Sequence, residues 1–227
     1  MDIARDLLGD RSAIGSKGAV VWATEQTGGR GRHGRQWSSP PGNLYATVIL
    51  NHERQMTDAP QLALVTGIAI AEAVANDLPA GTVTMKWPND LLLNGAKSAG
   101  ILLESGGTNA SPVLIGSGIN IDSAPDNTPY PATTLRAAGS GIDAQTLLER
   151  YLAALVRWSD RWNRQGFAPI RAQFLSIAAG LGKPVTIRLP DGEKRGIFTD
   201  VDAVGTLILT SDTGRSEKIS AGDVFFR

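Results

Sequence analysis

Gly28-Gly29-Arg30-Gly31-Arg32-His33-Gly34-Arg35-Gln36-Trp37 places three arginines and a histidine among glycines and ends on an aromatic ring. Glycine holds neither helix nor strand well, so the segment has no strong structure of its own. Crowded cations repel one another until an anion arrives. Guanidinium groups bind phosphate and carboxylate oxygens in bidentate fashion, so a glycine-arginine loop suits closing over such a group. Gly29, Gly31 and Gly34 also match the spacing of the dinucleotide fingerprint. That fingerprint needs a helix next, to hold a pyrophosphate at its N-terminus. Here Ser38-Ser39-Pro40-Pro41-Gly42 follows, and two prolines and a glycine do not open a helix. Gly15-Ser16-Lys17-Gly18 lacks the spacing of a phosphate loop.

The chain has 227 residues, 42% of them hydrophobic, enough to bury a sizeable core. Lys plus Arg and Asp plus Glu number 22 each, and a net charge of zero argues against general nucleic-acid or anionic-membrane binding. The absence of cysteine excludes disulfides, a thiolate nucleophile and a thioester intermediate. With only His33 and His52, a histidine-rich metal site is not expected. The sequence shows no membrane-spanning apolar run and no signal peptide, so the expected compartment is the cytoplasm.

Periodicity predicts a short helix over 2–8, strands over 19–24 and 44–50, and a buried helix over 60–77 capped by Asp58 or Thr57. Short strands are expected near 82–87, 90–93, 97–104 and 112–118, then helices over 143–165 and 167–179. After Gly180-Leu181-Gly182 the pattern becomes all-β. Alternating runs near 184–189, 194–201, 206–210, 215–219 and 223–226, with a turn at Asp191-Gly192, suggest a small barrel beyond a boundary near residue 181.

Three further segments are polar or glycine-rich where their surroundings are strand-like: Lys86-Trp87-Pro88-Asn89-Asp90, Lys97-Ser98-Ala99-Gly100-Ile101-Leu102-Leu103-Glu104 and Gly116-Ser117-Gly118-Ile119-Asn120. Together with the arginine loop, and in this order, they resemble the biotin protein ligases. The resemblance runs from the first helix to the end of the chain. It implies an α+β fold, a mixed β-sheet with packed helices akin to class II aminoacyl-tRNA synthetases and lipoate ligases. It also implies a ligase domain over 1–180 and an SH3-like barrel over 181–227. The implied reaction uses biotin and Mg-ATP. Biotinyl-5'-adenylate and pyrophosphate form first, and the lysine of a biotin carboxyl carrier domain, such as that of acetyl-CoA carboxylase, then attacks the adenylate. Cations must offset the repulsion between the attacking carboxylate and the α-phosphate, and no protein nucleophile is required.

By resemblance, Arg30 and Arg32 close over these anions and Lys97 reaches both from below. Gln26 binds the biotin head, while Gly29, Gly100, Gly116 and Gly118 let backbone approach biotin. Trp37 and Asn120 form the adenine site. Arg35, Lys86 and Asn89 complete the ATP site, with Lys86 facing phosphate. Asp90 either helps hold Mg2+ or orients the incoming lysine. The resemblance allows a homodimer through sheet edges and implies neither nucleic-acid nor membrane partners. Two departures stand out: His33 replaces the family's usual Arg or Lys, and the family's Ser-Thr-Asn segment is missing before Asp2-Ile3-Ala4. The optional N-terminal DNA-binding domain is not expected, nor is repressor activity. The rival readings are a lipoate or octanoyl transfer enzyme and a non-catalytic biotin or adenylate binder.

Overall fold

The computed structural model describes residues 1–9, 14–15, 18–51, 59–106, 112–126, 128 and 130–226. The elements are α1 (Asp2–Asp6), β1 (Gly18–Ala23), β2 (Leu44–Leu50), α2 (Ala59–Ala75), β3 (Val83–Lys86), β4 (Asp90–Leu93), β5 (Ala96–Ser105) and β6 (Val113–Ile119), followed by α3 (Ala144–Gln165), α4 (Ala168–Ser176), β7 (Pro184–Leu189), β8 (Gly192–Val201), β9 (Leu207–Thr210), β10 (Ser216–Ile219) and β11 (Asp223–Phe226). The expected cap of α2, Asp58 or Thr57, lies outside the described residues, as does His52. Among the described residues no helix is long and apolar enough to cross a membrane.

β1 to β6 form a six-stranded sheet in the order β1-β2-β6-β5-β4-β3. Pairings between these strands are all antiparallel. Parallel pairing enters through single bridges, Met85 with Ala178 and Lys97 with Ala132. The first bridge explains why α4 stops at Ser176 instead of running to 179. Ile177 and Ala179 leave the helix to pair with Met85 on the edge of β3, through Met85 N to Ile177 O at 2.8 Å and Ala179 N to Met85 O at 2.8 Å. Those backbone groups gain sheet partners at the edge strand.

One face of the sheet is covered by α2 and α3. Ser117 of β6 points that way and shares a buried 3.0 Å hydrogen bond with the Tyr151 hydroxyl of α3. Asp143 starts α3 by accepting the Thr146 N–H at 2.9 Å, an N-cap bond. On the opposite face α1 packs against β1 and β2, with Ala4, Ile49 and Leu114 fully buried together. Beyond α1 that face carries the arginine loop and the cavity that the loop walls.

β7 to β11 form a second sheet in the order β10-β9-β8-β7-β11. The expected barrel does not close among the described residues, because β10 and β11 are the two free edges. The second sheet closes instead against the first layer. A single cluster of buried side chains runs from Leu44, Ile68 and Trp87 through to Val185, Phe198 and Leu209. Polar groups reinforce the junction. Trp87 is fully buried and its indole N–H donates to Gly205 O at 3.0 Å. Gln61 accepts from the Trp162 indole at 2.7 Å and donates to Ala203 O at 3.3 Å.

Trp87→Phe tests this junction, since it keeps a ring but strands the buried Gly205 carbonyl. The expected cost from that carbonyl is about 1–3 kcal/mol, before any loss of packing. Urea denaturation should show a lower midpoint at unchanged slope. A midpoint equal to the parent's would mean that the bond between the sheets contributes nothing.

Candidate active site

Register places the site. Gly100 of β5 lies directly opposite Gly118 of β6, and Leu102 opposite Gly116. These positions share the sheet face turned away from α2 and α3, so they leave a strip of bare backbone on that side. Lys97 would point to the helix side if β5 were regular, being three residues before Gly100. The register shifts at this point: Leu91 pairs with Ala99, but Leu92 pairs with Lys97. The inserted residue, Ser98, is fully buried and its hydroxyl meets Asn120 O at 3.4 Å. Such a bulge re-aims the side chain beside it, and here Lys97 turns to the face of Gly100.

Asp90 faces Gly100 across β4 and β5, and Lys86 faces Asp90 across β3 and β4. The Asp90 carboxylate is therefore divided: Oδ1 meets Lys97 Nζ at 2.6 Å and Oδ2 meets Lys86 Nζ at 3.3 Å. Burial pushes the Lys86 ammonium below its ordinary range, and the Asp90 charge opposes that shift.

A cavity of about 640 Å3 lies over this strip. It gathers every residue expected to bind biotin or ATP or to take part in catalysis except Gly29 and Lys86. These two stand just outside its lining. Gly29 is buried beneath the arginine loop, where a β-carbon would collide with the Trp37 carbonyl and the Ser39 hydroxyl. It lets the loop fold back on itself, with Trp37 N donating to Gly29 O at 2.9 Å. Lys86 is only 4% exposed and sits behind Tyr130, so it does not face the cavity.

The arginine loop has a definite path. Arg30 pairs with Gln36, and Gly31 N donates to Arg35 O at 2.7 Å. His33 adopts φ 56°, in the left-handed region that side chains rarely enter. Each arginine has a tether: Arg30 to Asp2 at 2.5 Å, Arg32 to the Asn89 amide oxygen at 3.1 Å, and Arg35 to Asp223 of β11 at 3.0 Å. Burial pushes the Arg32 guanidinium below its ordinary range. Burial alone would raise the Asp223 carboxyl, but the Arg35 hydrogen bond and charge outweigh it and hold the group low. Gln26 is fixed by a 3.1 Å bond from its amide to Ser39 Oγ, and the Asn120 amide donates to Thr133 O at 3.2 Å.

Trp37 lies on the glycine strip. A β-carbon at Gly118 would stand 2.5 Å from the indole nitrogen, and one at Gly100 would stand 2.9 Å from the ring. The buried indole N–H finds no partner among the described residues. Met1 rests over Gly116 in the same way, with 2.7 Å between a β-carbon there and the methionine methyl.

Sequence reasoning missed Asp223 and Tyr130, both in the cavity wall. Neither sits in a glycine-rich or cationic motif, so only the fold brings them in.

Asp90 fits poorly as a metal ligand. Ammonium groups engage both of its oxygens, and no cluster of three or more metal-ligating side chains occurs among the described residues.

Residues 4–122 match the biotin/lipoate A/B protein ligase family, and residues 180–227 match the biotin protein ligase C-terminal domain. The chain belongs to the biotin protein ligase family. It is 40% identical to biotin–[acetyl-CoA-carboxylase] ligase of Paracoccus denitrificans over 93% of this chain and 91% of that protein. It superposes on the Aquifex aeolicus biotin protein ligase in complex with biotin and ATP with a TM-score of 0.81, at 27% identity over 99% of this chain and 94% of that one. The Leishmania major biotin protein ligase in complex with biotinyl-5-AMP gives 0.69 at 28% identity, over 97% and 94% of the two chains.

Gly118→Ala tests the seat of the indole. Its methyl group is expected to push Trp37 off the strip toward water, red-shifting that residue's fluorescence. Subtracting the spectra of matched variants carrying Trp37→Phe isolates the signal from the other four tryptophans. An unchanged Trp37 spectrum would show that the ring does not rest there.

Proposed function

We propose that this family member is an ATP-dependent carbon–nitrogen ligase that joins biotin to a lysine of a biotin carboxyl carrier domain, of the acetyl-CoA carboxylase kind. The observation that carries the reading is the convergence of Lys97, Arg30, Arg32 and the bare Gly100–Gly118 strip on one cavity.

In the first step the biotin carboxylate oxygen attacks the α-phosphate of ATP, and pyrophosphate leaves. Both reactants are anionic, so the work is charge stabilisation and alignment. Lys97 supplies donors to both groups, with one of its three N–H bonds committed to Asp90. Arg30 and Arg32 exchange their present partners for ligand oxygens. Gln26 and the glycine strip take biotin, while Arg35, Asn89, Asn120 and Trp37 take the nucleotide. In the second step the carrier lysine attacks the acyl carbon of the adenylate, AMP leaves, and an amide forms.

The side chains favour Asp90 as the organiser of Lys86 and Lys97. Mg2+ would belong to the ATP substrate, where it would offset phosphate charge. Residues 1–180 carry the chemistry in this reading, and residues 181–227 brace it and contribute Asp223. The cytoplasm is the proposed compartment, and an edge-to-edge homodimer is the proposed assembly.

Pyrophosphate release with biotin, lipoate or octanoate tests the reaction. Release with biotin alone is expected, and a preference for lipoate or octanoate would overturn the assignment. Lys97→Ala is expected to lower the rate by roughly a hundredfold or more, about 3 kcal/mol of lost charge stabilisation, in a protein that still melts cooperatively. A near-normal rate in the folded variant would remove Lys97 from its role.

A further inference from the structure

We propose that Tyr130 is a positioning residue for adenylate formation: its ring supports the Lys86 ammonium and thereby sets how Asp90 holds Lys97. The proposal rests on the reading above, in which Lys97 meets the reacting groups.

Four side chains are layered from the ion cluster to the second sheet. Lys86 Nζ lies 3.7 Å from the centre of the Tyr130 ring. Tyr130 stacks on Phe225 of β11, with centroids 4.6 Å apart and planes inclined by 29°. The Arg188 guanidinium of β7 lies 4.5 Å from the Phe225 ring. A cation thus closes each end of an aromatic pair.

The inner cation is the one that matters. An ammonium removed from water needs more compensation than half a carboxylate provides. Asp90 offers Lys86 one oxygen, because its other oxygen serves Lys97. The face of an aromatic ring supplies attraction that such a desolvated cation otherwise lacks. Without that face Lys86 must draw more heavily on Asp90 or turn away. Either response alters the 2.6 Å contact that orients Lys97.

A second connection runs through the backbone. Tyr130 immediately precedes the segment that pairs with Lys97. Lys97 N donates to Pro131 O at 2.7 Å, and Thr133 N donates to Lys97 O at 2.9 Å. The residue that supports Lys86 therefore also begins the strand-like stretch pinning the main chain of Lys97.

A purely structural role for Tyr130 would alter stability and leave the chemistry alone. The expected signature is different: kcat changes while the KM for biotin does not, because Gln26 and the glycine strip lie on other elements. Tyr130→Leu removes the π-face but keeps an apolar filler. It is expected to lower kcat for biotin-dependent pyrophosphate release about tenfold, with the biotin KM within about twofold of the parent. Tyr130→Phe is expected to recover most of the lost rate, since the ring is what acts. In Lys86→Met the intermediary is gone, so adding Tyr130→Leu should produce no further fall. Phe225→Leu gives a second route if Tyr130→Leu folds poorly, with an intermediate loss of kcat expected.

The Lys97 side-chain NMR signal provides a readout that does not depend on turnover. It should move in Tyr130→Leu and stay near its parent position in Tyr130→Phe. An unmoved Lys97 signal, an unchanged kcat, a defect confined to the biotin KM, or an effect additive with Lys86→Met would each overturn the proposal. Failure of the parent protein to release pyrophosphate with biotin would instead count against the ligase reading, and the Lys97 signal would still decide the positioning claim.

Discussion

The divided carboxylate of Asp90 is the constraint around which the site is arranged. Two ammonium groups repel each other unless an anion lies between them, and Asp90 gives one oxygen to each. One negative charge between two positive ones leaves a local excess of +1 in a partly buried place. The arginine loop adds to it from above. A protein interior tolerates an unbalanced charge poorly, so the arrangement favours an arriving anion. Catalysis of anhydride formation needs the same excess, because two anions must be brought together. The feature that is costly for the free protein is the one that the reaction uses.

The second sheet belongs to this arrangement and is more than an appendage. Trp87 ties it to the strand pair that bears Lys86 and Asp90, through a fully buried ring and a bond to Gly205 O. Asp223 reaches the arginine loop from β11, and Phe225 of the same strand backs Tyr130. Three contacts of different physical kinds, apolar burial, an ion pair and ring stacking, thus converge on one side of the cavity. The absence of a closed hydrogen-bonded barrel among the described residues has a counterpart here, since the face left open by the sheet is the one buried against the first layer.

Much of this was legible in the sequence. Alternation and turn residues located every strand of the second sheet within about two residues, because those strands are short, amphipathic and separated by Gly or Asp-Gly. The four motifs supplied about half of the cavity wall, including its arginines and the glycine strip, since glycines and cations in apolar surroundings stand out against propensity. What the sequence did not make legible shares a cause. Gly29 and Lys86 carried the right residue types, but packing decides which side of a loop or strand they face. The bulge at Ser98 cannot be read from Lys97-Ser98-Ala99, because serine there is unremarkable until its hydroxyl and register are known. α4 stopped early because the edge of β3 offered Ile177 and Ala179 better backbone partners than another turn of helix would. Tyr130 and Asp223 come from distant segments that meet only in three dimensions.

The tethers of the arginine loop differ in a way that ranks the arginines. Arg30 and Arg35 pair with carboxylates through partly exposed side chains. Exposed pairs of that kind contribute little to stability, so Asp2 or Asp223 is readily exchanged for a ligand oxygen. Arg32 is different, because it is partly buried and its hydrogen bond goes to the neutral amide of Asn89. Its charge is the least well compensated of the three, and Asn89 is itself held by a 2.7 Å bond to Ile101 O on β5. A carboxylate or phosphate that reaches Arg32 relieves an existing deficit, whereas one that reaches Arg30 or Arg35 must first displace a competitor. The strongest attraction within the loop therefore lies at its innermost arginine, beside the strand that carries Lys97, and the outer two are free to change partners as a ligand enters.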